Sequence, residues 1–123
     1  MKIVSALLLI VCFPFCAYAQ QHKCFLPDGT AYEAKYLCDP VTVEKFANRF
    51  FELLPEEDQQ QNTVESLKGL YSMAMDTCDE PFLSMTPEEV GKNGEPFFTW
   101  QFTAAMTQAA REIICPEKKG SKR

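Results

Sequence analysis

The sequence is short of histidine, tryptophan and glycine: 123 residues hold one His, one Trp and five Gly. A single histidine, His22, leaves Ser/His/Asp or Cys/His catalysis without a base placed by a fold. No CxxC pair occurs, which argues against a zinc site built on cysteines. No segment alternates oxygen ligands around a central glycine and a closing glutamate, so calcium binding of the EF-hand type is excluded. There is no N-x-S/T sequon, and after the opening residues no apolar run reaches the roughly 20 residues that a membrane-spanning helix needs.

Positive charge is scarce as well, and what there is lies at the end. The closing "KKGSKR" supplies Lys118, Lys119, Lys122 and Arg123, so the segment from Gln20 to Glu117 carries 7 basic against 17 acidic side chains. A body that negative is repelled by phosphate backbones and by anionic membranes, which excludes nucleic-acid binding and lysis by a cationic helix. The carboxylate pairs in "PEED" and "TPEE" are the only acid–base candidates. Their position at helix starts, where the macrodipole favours negative charge, reads as structural. No catalytic residue is assigned, and the chain is read as a protein that is not an enzyme.

What is present begins with "MKIVSALLLIVCFPFCAYA": Lys2, an uncharged apolar run, then Ala17 and Ala19 as an A-x-A cleavage site. This reads as a secretory signal over residues 1–19, which predicts a soluble, exported mature chain. Cleavage leaves Cys24, Cys38, Cys78 and Cys115, an even set that reads as two disulfides in a small extracellular domain. Residues 20–117 are expected to form that single domain, and 118–123 a basic, disordered tail.

Along the domain, "KCFLPDGTAYEAKYLC" holds a PDG turn and predicts an N-terminal loop or small hairpin. In "CDPVTVEKFANRFFELLP", Asp39 is a cap, Pro40 takes the first helical position, and Val43, Phe46, Ala47, Phe50, Phe51 and Leu54 share one face until Pro55 ends the helix. "PEEDQQQ" reads as a polar connector. A second helix is expected over "NTVESLKGLYSMAMDTC", capped by Asn62 with Glu65 in the reciprocal position and continuing through Gly69. Thr86, Pro87 and Glu89 start a short helix, and a last one carries Phe98, Phe102, Ala105, Ala109 and Ile113 on one face until Pro116. The fold class is therefore all-α, with three main helices plus a short one.

Consecutive helices with a short connector pack antiparallel. That geometry brings the start of the Asp39 helix to the end of the next and favours pairing Cys38 with Cys78 and Cys24 with Cys115. The local pair Cys24–Cys38 is the alternative.

Three sites are open to binding. His22, third in a chain that begins at Gln20, would complete the square-planar nitrogen set that suits Cu(II). Trp100 stands slightly off the apolar face of the last helix and is the candidate partner contact. The aromatic groups Phe97, Phe98, Trp100, Phe102 and Phe46, Phe50, Phe51, with Met73, Met75, Met85 and Met106, could fill the core or line a cavity for a small hydrophobic ligand. The basic tail could hold sulfated glycans or an acidic patch on a partner.

The short start "QQHKC", a second cysteine 14 residues on and a helix ending "AAREIIC" resemble the microplusin and hebraein group, small helical secreted proteins of ticks. The resemblance implies a nested pairing of first cysteine with last, and copper sequestration as an antimicrobial action, with His22 at the position of a family histidine. Three functions are therefore expected in order: a secreted, non-enzymatic binding protein of salivary, venom or effector kind that engages another protein; an antimicrobial that captures Cu(II); and a carrier of a small hydrophobic ligand.

Overall fold

The computed structural model describes residues 21–94 and 97–119, with backbone alone at 118–119. It is mostly helical, with a two-stranded antiparallel sheet at its N-terminal end, so the all-α expectation is corrected to helical with a hairpin. Strands β1 (His22–Phe25) and β2 (Ala31–Ala34) pair with Cys24 opposite Tyr32. The PDG turn closes them: Gly29 takes φ 93°, open to glycine at little cost, and Asp28 accepts the Thr30 amide at 2.9 Å.

Helix α1 (Pro40–Leu53) starts as expected, with Asp39 accepting the Thr42 amide at 3.2 Å and Pro40 in the first turn. Phe46, Ala47 and Phe50 are fully buried on its inner face and Leu54 follows. Phe46 meets Tyr71 edge-on at 5.3 Å, and Phe50 meets Phe102 at 5.1 Å. These aromatic contacts join α1 to the helices on either side of it in the core.

The connector after Pro55 is itself a short helix, α2 (Glu56–Gln61), with three acidic residues in its first turn. The next segment departs from the expected single helix. Thr63, not Asn62, is the cap, and its partner is Ser66: each backbone amide meets the other's hydroxyl at 3.0 Å. Asn62 instead donates to the Asp58 carbonyl at 2.9 Å. Helix α3 (Val64–Lys68) then stops at Gly69–Leu70, where the amides turn back three residues, to Ser66 and Leu67, before α4 (Tyr71–Asp76) begins. Pro27 of the hairpin packs where a Gly69 side chain would stand, its Cγ 3.3 Å from an added Cβ.

A 3-10 turn (Phe82–Ser84) leads to α5 (Pro87–Gly94), whose Thr86/Glu89 capping pair forms as expected. Helix α6 (Trp100–Ala109) is capped by Thr99 and runs into a π-helical turn (Ala110–Ile114). There the Cys115 amide reaches back five residues to the Ala110 carbonyl at 3.0 Å. The extra residue moves the apolar face by one position, so Ile114 is buried where the 3.6-residue period places Ile113. Arg49 of α1 pairs with Glu112 at 2.7 Å across this junction. Pro116 opens a further turn, α7 (Pro116–Lys119), rather than ending helical structure.

The disulfides are Cys24–Cys38 and Cys78–Cys115, which corrects the expected Cys38–Cys78 and Cys24–Cys115 pairs. The hairpin folds back on itself, and the chain after β2 returns Cys38 to β1, where its sulfur lies 3.4 Å from the Lys23 carbonyl. The segment before Cys38 does lie beside the end of α4: Tyr36 donates its hydroxyl to Asp79 at 3.0 Å, one residue from Cys78. The sulfur of Cys78, however, is bonded to Cys115 after the π-helical turn, and both cysteines are completely buried there.

Candidate apolar binding cleft

The most site-like concavity lies between α4, the 3-10 turn, α5 and α6. Its geometry begins at Gly91. A Cβ there would come within 2.2 Å of the Trp100 carbonyl oxygen, so only glycine lets α5 lie against the start of α6. Beside that contact lies a cleft of about 310 Å³. That volume is at the small end of ligand-binding pockets.

Its inner wall is made by Val90, Thr77, Thr103 and Met106, all buried. Thr77 spends its hydroxyl on the Ala74 carbonyl at 2.7 Å, so it presents its methyl side as wall rather than as an unsatisfied donor. The mouth carries Met73, Phe82, Phe97 and Phe98, with Asp76 and Asn93 as the polar side chains outside the buried wall. Phe98 stacks on Phe102 at 4.8 Å and is thereby fixed to the core. Phe97 is 88 % exposed and Met73 43 % exposed, two large apolar side chains at one opening.

Arg111 braces the Phe82 wall from behind. It is buried, and it donates Nη2 to the Phe82 carbonyl at 2.6 Å and Nη1 to the Met85 carbonyl at 2.7 Å. Both ends of the 3-10 turn are thus tied to the last helix. Burial pushes its guanidinium down from the usual value, opposed by the charge of Glu80. Its Nε is buried without a protein partner. The cleft wall therefore rests on charge-assisted bonds from one side chain.

Asp76 is the one carboxylate in the lining, which contains no Lys or Arg. Partial burial and then the neighbouring charge of Asp79 hold its carboxyl above the ordinary range. Asp79 is itself engaged by Lys35 at 3.3 Å and by Tyr36.

The residues singled out in the sequence scatter. Trp100 is half-buried at the start of α6, with the Lys92 ammonium 5.1 Å over its ring, and it faces a separate shallow groove with Leu53, Pro55, Pro87 and Gln108. It does not line the cleft. His22 lies in β1, half-buried, beside Lys35, Tyr36, Ile113 and Glu117, rather than on a free terminus. Gln20, whose amine the copper site needs, is outside the described residues. Among the described residues no group of three or more His, Cys, Asp or Glu side chains could hold a metal ion. Lys118 and Lys119 fall in α7 rather than in a disordered tail; their side chains, with Lys122, Arg123 and the signal expected over residues 1–19, lie outside the described residues.

Of the aromatic and methionine residues named as core or cavity, Phe46, Phe50, Phe102 and Met75 are core. Phe97, Phe98, Met73 and Met106 line the cleft. Phe82, Val90, Thr103 and Asp76 were not singled out, because nothing local marks them; only the turn after Cys78 brings Phe82 opposite Val90. No helix among the described residues is long and apolar enough to cross a membrane. No protein-family model, curated protein or solved structure matches the chain.

Proposed function

We propose that this is an exported, non-enzymatic binding protein whose cleft between α4, α5 and α6 takes a small apolar ligand. The observation that carries the reading is the cleft itself: a concavity with apolar walls whose mouth leaves Phe97 and Met73 in water. Covering one such side chain is worth about 1.5–3 kcal/mol, a gain a ligand can collect. Export is supported by the signal-like opening and by two disulfides, which persist in oxidising compartments.

Gly94 provides the test. It lines the cleft, and a Cβ there would meet only the Thr103 methyl, at an ordinary 4.0 Å. Gly94→Leu should therefore fill the cleft without forcing the helices apart. The neutral fluorophore N-phenylnaphthylamine should bind the natural protein saturably at one site and lose that binding in Gly94→Leu. Absence of saturable binding, or binding unchanged in the variant, refutes the cleft reading.

Engagement of a protein partner has its own support outside the cleft, where Phe25, Leu37 and Val41, close in sequence to Cys24 and Cys38, are each more than half exposed. Replacing all three with serine should abolish recovery of a saturable partner from plasma or haemolymph if that surface is used. The Cu(II) and glycan readings draw less support, since His22 is built into a strand and the basic tail opposes an acidic body.

A further inference from the structure

Resting on the cleft reading, we propose that the ligand is a small aromatic or aliphatic amine, bound as its cation with the apolar part among Phe82, Val90, Phe98 and Met106 and the ammonium at Asp76. The chemistry of the lining discriminates among apolar ligands by their charge. Asp76 is its one ionisable side chain. Asp76 takes part in no ion pair among the described residues, while its neighbour Asp79 is paired with Lys35. A carboxylate at the edge of apolar surface with another carboxylate nearby lacks a countercharge, and a ligand cation supplies one.

The remaining polar groups agree. Thr77 has spent its hydroxyl proton on a backbone carbonyl. Asn93 donates Nδ2 to the Met85 sulfur at 3.3 Å, and its amide oxygen remains as an acceptor. Acceptors are what an ammonium group needs. A fatty acid or other apolar anion would set its carboxylate beside Asp76 with no Lys or Arg in the lining to receive it. The wider field points the same way, because the segment from Gln20 to Glu117 carries ten more acidic than basic side chains and concentrates small cations near the surface. The mouth aromatics Phe97 and Phe98 add ring faces that attract a cation as readily as they shed water.

The test is a matched set on one apolar skeleton: naphthylmethylamine, naphthylmethanol and naphthoate, titrated calorimetrically into the full processed protein at low salt. The amine should bind about fivefold more tightly than the alcohol, a modest ratio because Asp76 is exposed on one side, and naphthoate should bind more weakly than either. Asp76→Asn should remove the advantage of the amine, so that amine and alcohol bind alike, and saturable alcohol binding by the variant shows that it is folded. Equal binding of amine and alcohol, tightest binding of naphthoate, or an amine advantage that survives Asp76→Asn overturns the proposal. In those cases saturable alcohol binding that is lost in Gly94→Leu leaves the cleft reading standing. If none of the three saturates, the cleft reading falls and takes this inference with it.

Discussion

The hairpin end and the cleft end of the molecule each carry a disulfide, a required glycine and exposed apolar side chains, yet they use them differently. At the hairpin, Cys24–Cys38 joins a buried to a half-exposed cysteine 14 residues apart, Gly29 supplies a backbone conformation, and Phe25, Leu37 and Val41 stand exposed. At the cleft end, Cys78–Cys115 closes 37 residues and is wholly buried, Gly91 supplies room, and the exposed Phe97 and Met73 border a concavity. The exposed residues of the hairpin form a surface, whereas those of the cleft border a concavity whose walls are fixed by the α5–α6 contact at Gly91 and by the Arg111 bonds to the 3-10 turn.

The largest difference should come from removing each disulfide. By loop-closure entropy, replacing Cys78 and Cys115 with alanine should cost about 4 kcal/mol, and replacing Cys24 and Cys38 about 3 kcal/mol. Urea unfolding of the two double variants measures both. Cys38 is half-exposed, so mild reductant should open the hairpin bridge first and leave ligand binding in the cleft intact. If the buried bridge opens first, the contrast between the two ends is mistaken.

The two glycines sharpen the comparison at a smaller scale. Gly91→Ala places a methyl group against a backbone carbonyl that cannot step aside, and should cost about 1–3 kcal/mol while shifting α5 from α6. Gly29→Ala meets no atom within 4 Å and pays only for its positive φ, about 1–2 kcal/mol. Thermal unfolding gives the two costs. Binding of N-phenylnaphthylamine should fall in the first variant and stay unchanged in the second.

Legibility in the sequence followed the same division. Helix α1 was fully readable because its cap, its proline and its apolar spacing are local and agree with one another. Helix α6 is legible from Phe102 to Ala109; its start is not, since Thr99 caps it and leaves Phe98 before the helix, and after Ala109 the π turn inserts a residue that no periodicity announces. The sequence reading carries the helix through Gly69, whereas the structure breaks it there, with Pro27 of the hairpin packed against the glycine. With that helix taken as continuous and the first segment left as a loop or hairpin, the cysteine partners were misassigned even though Cys38 and Cys78 were placed in the right neighbourhood. The aromatic and methionine residues of the cleft were noticed as a group, but dividing them between core and cavity depends on how α4, α5 and α6 converge. Asp76 had no local signal, since a carboxylate at a helix end reads as solvated surface.

The smallest effect expected is on pH dependence, where the two ends should oppose each other. Asp28 and Asp39, at the hairpin and its junction with α1, are held below the ordinary carboxylate range by hydrogen bonds from Thr30 and Thr42. Their folded pKa values lie below the unfolded value of about 3.9, so their contribution is present above that pH and is lost as pH falls through the folded values. Asp76, faced by Asp79 and by Tyr32 of β2, is shifted the other way, by burial and then by the Asp79 charge. In the window between its raised folded pKa and the unfolded value the folded state holds the extra proton, so acidification through that window stabilises the fold. Unfolding midpoints measured from neutral to acid pH should therefore rise slightly before they fall. Asp76→Asn should remove the rise and Asp39→Asn should soften the fall. Binding of naphthylmethylamine should weaken across the window in which Asp76 takes up its proton, whereas naphthylmethanol should not respond, and a parallel response of the two ligands would place the titrating group elsewhere than at the cleft.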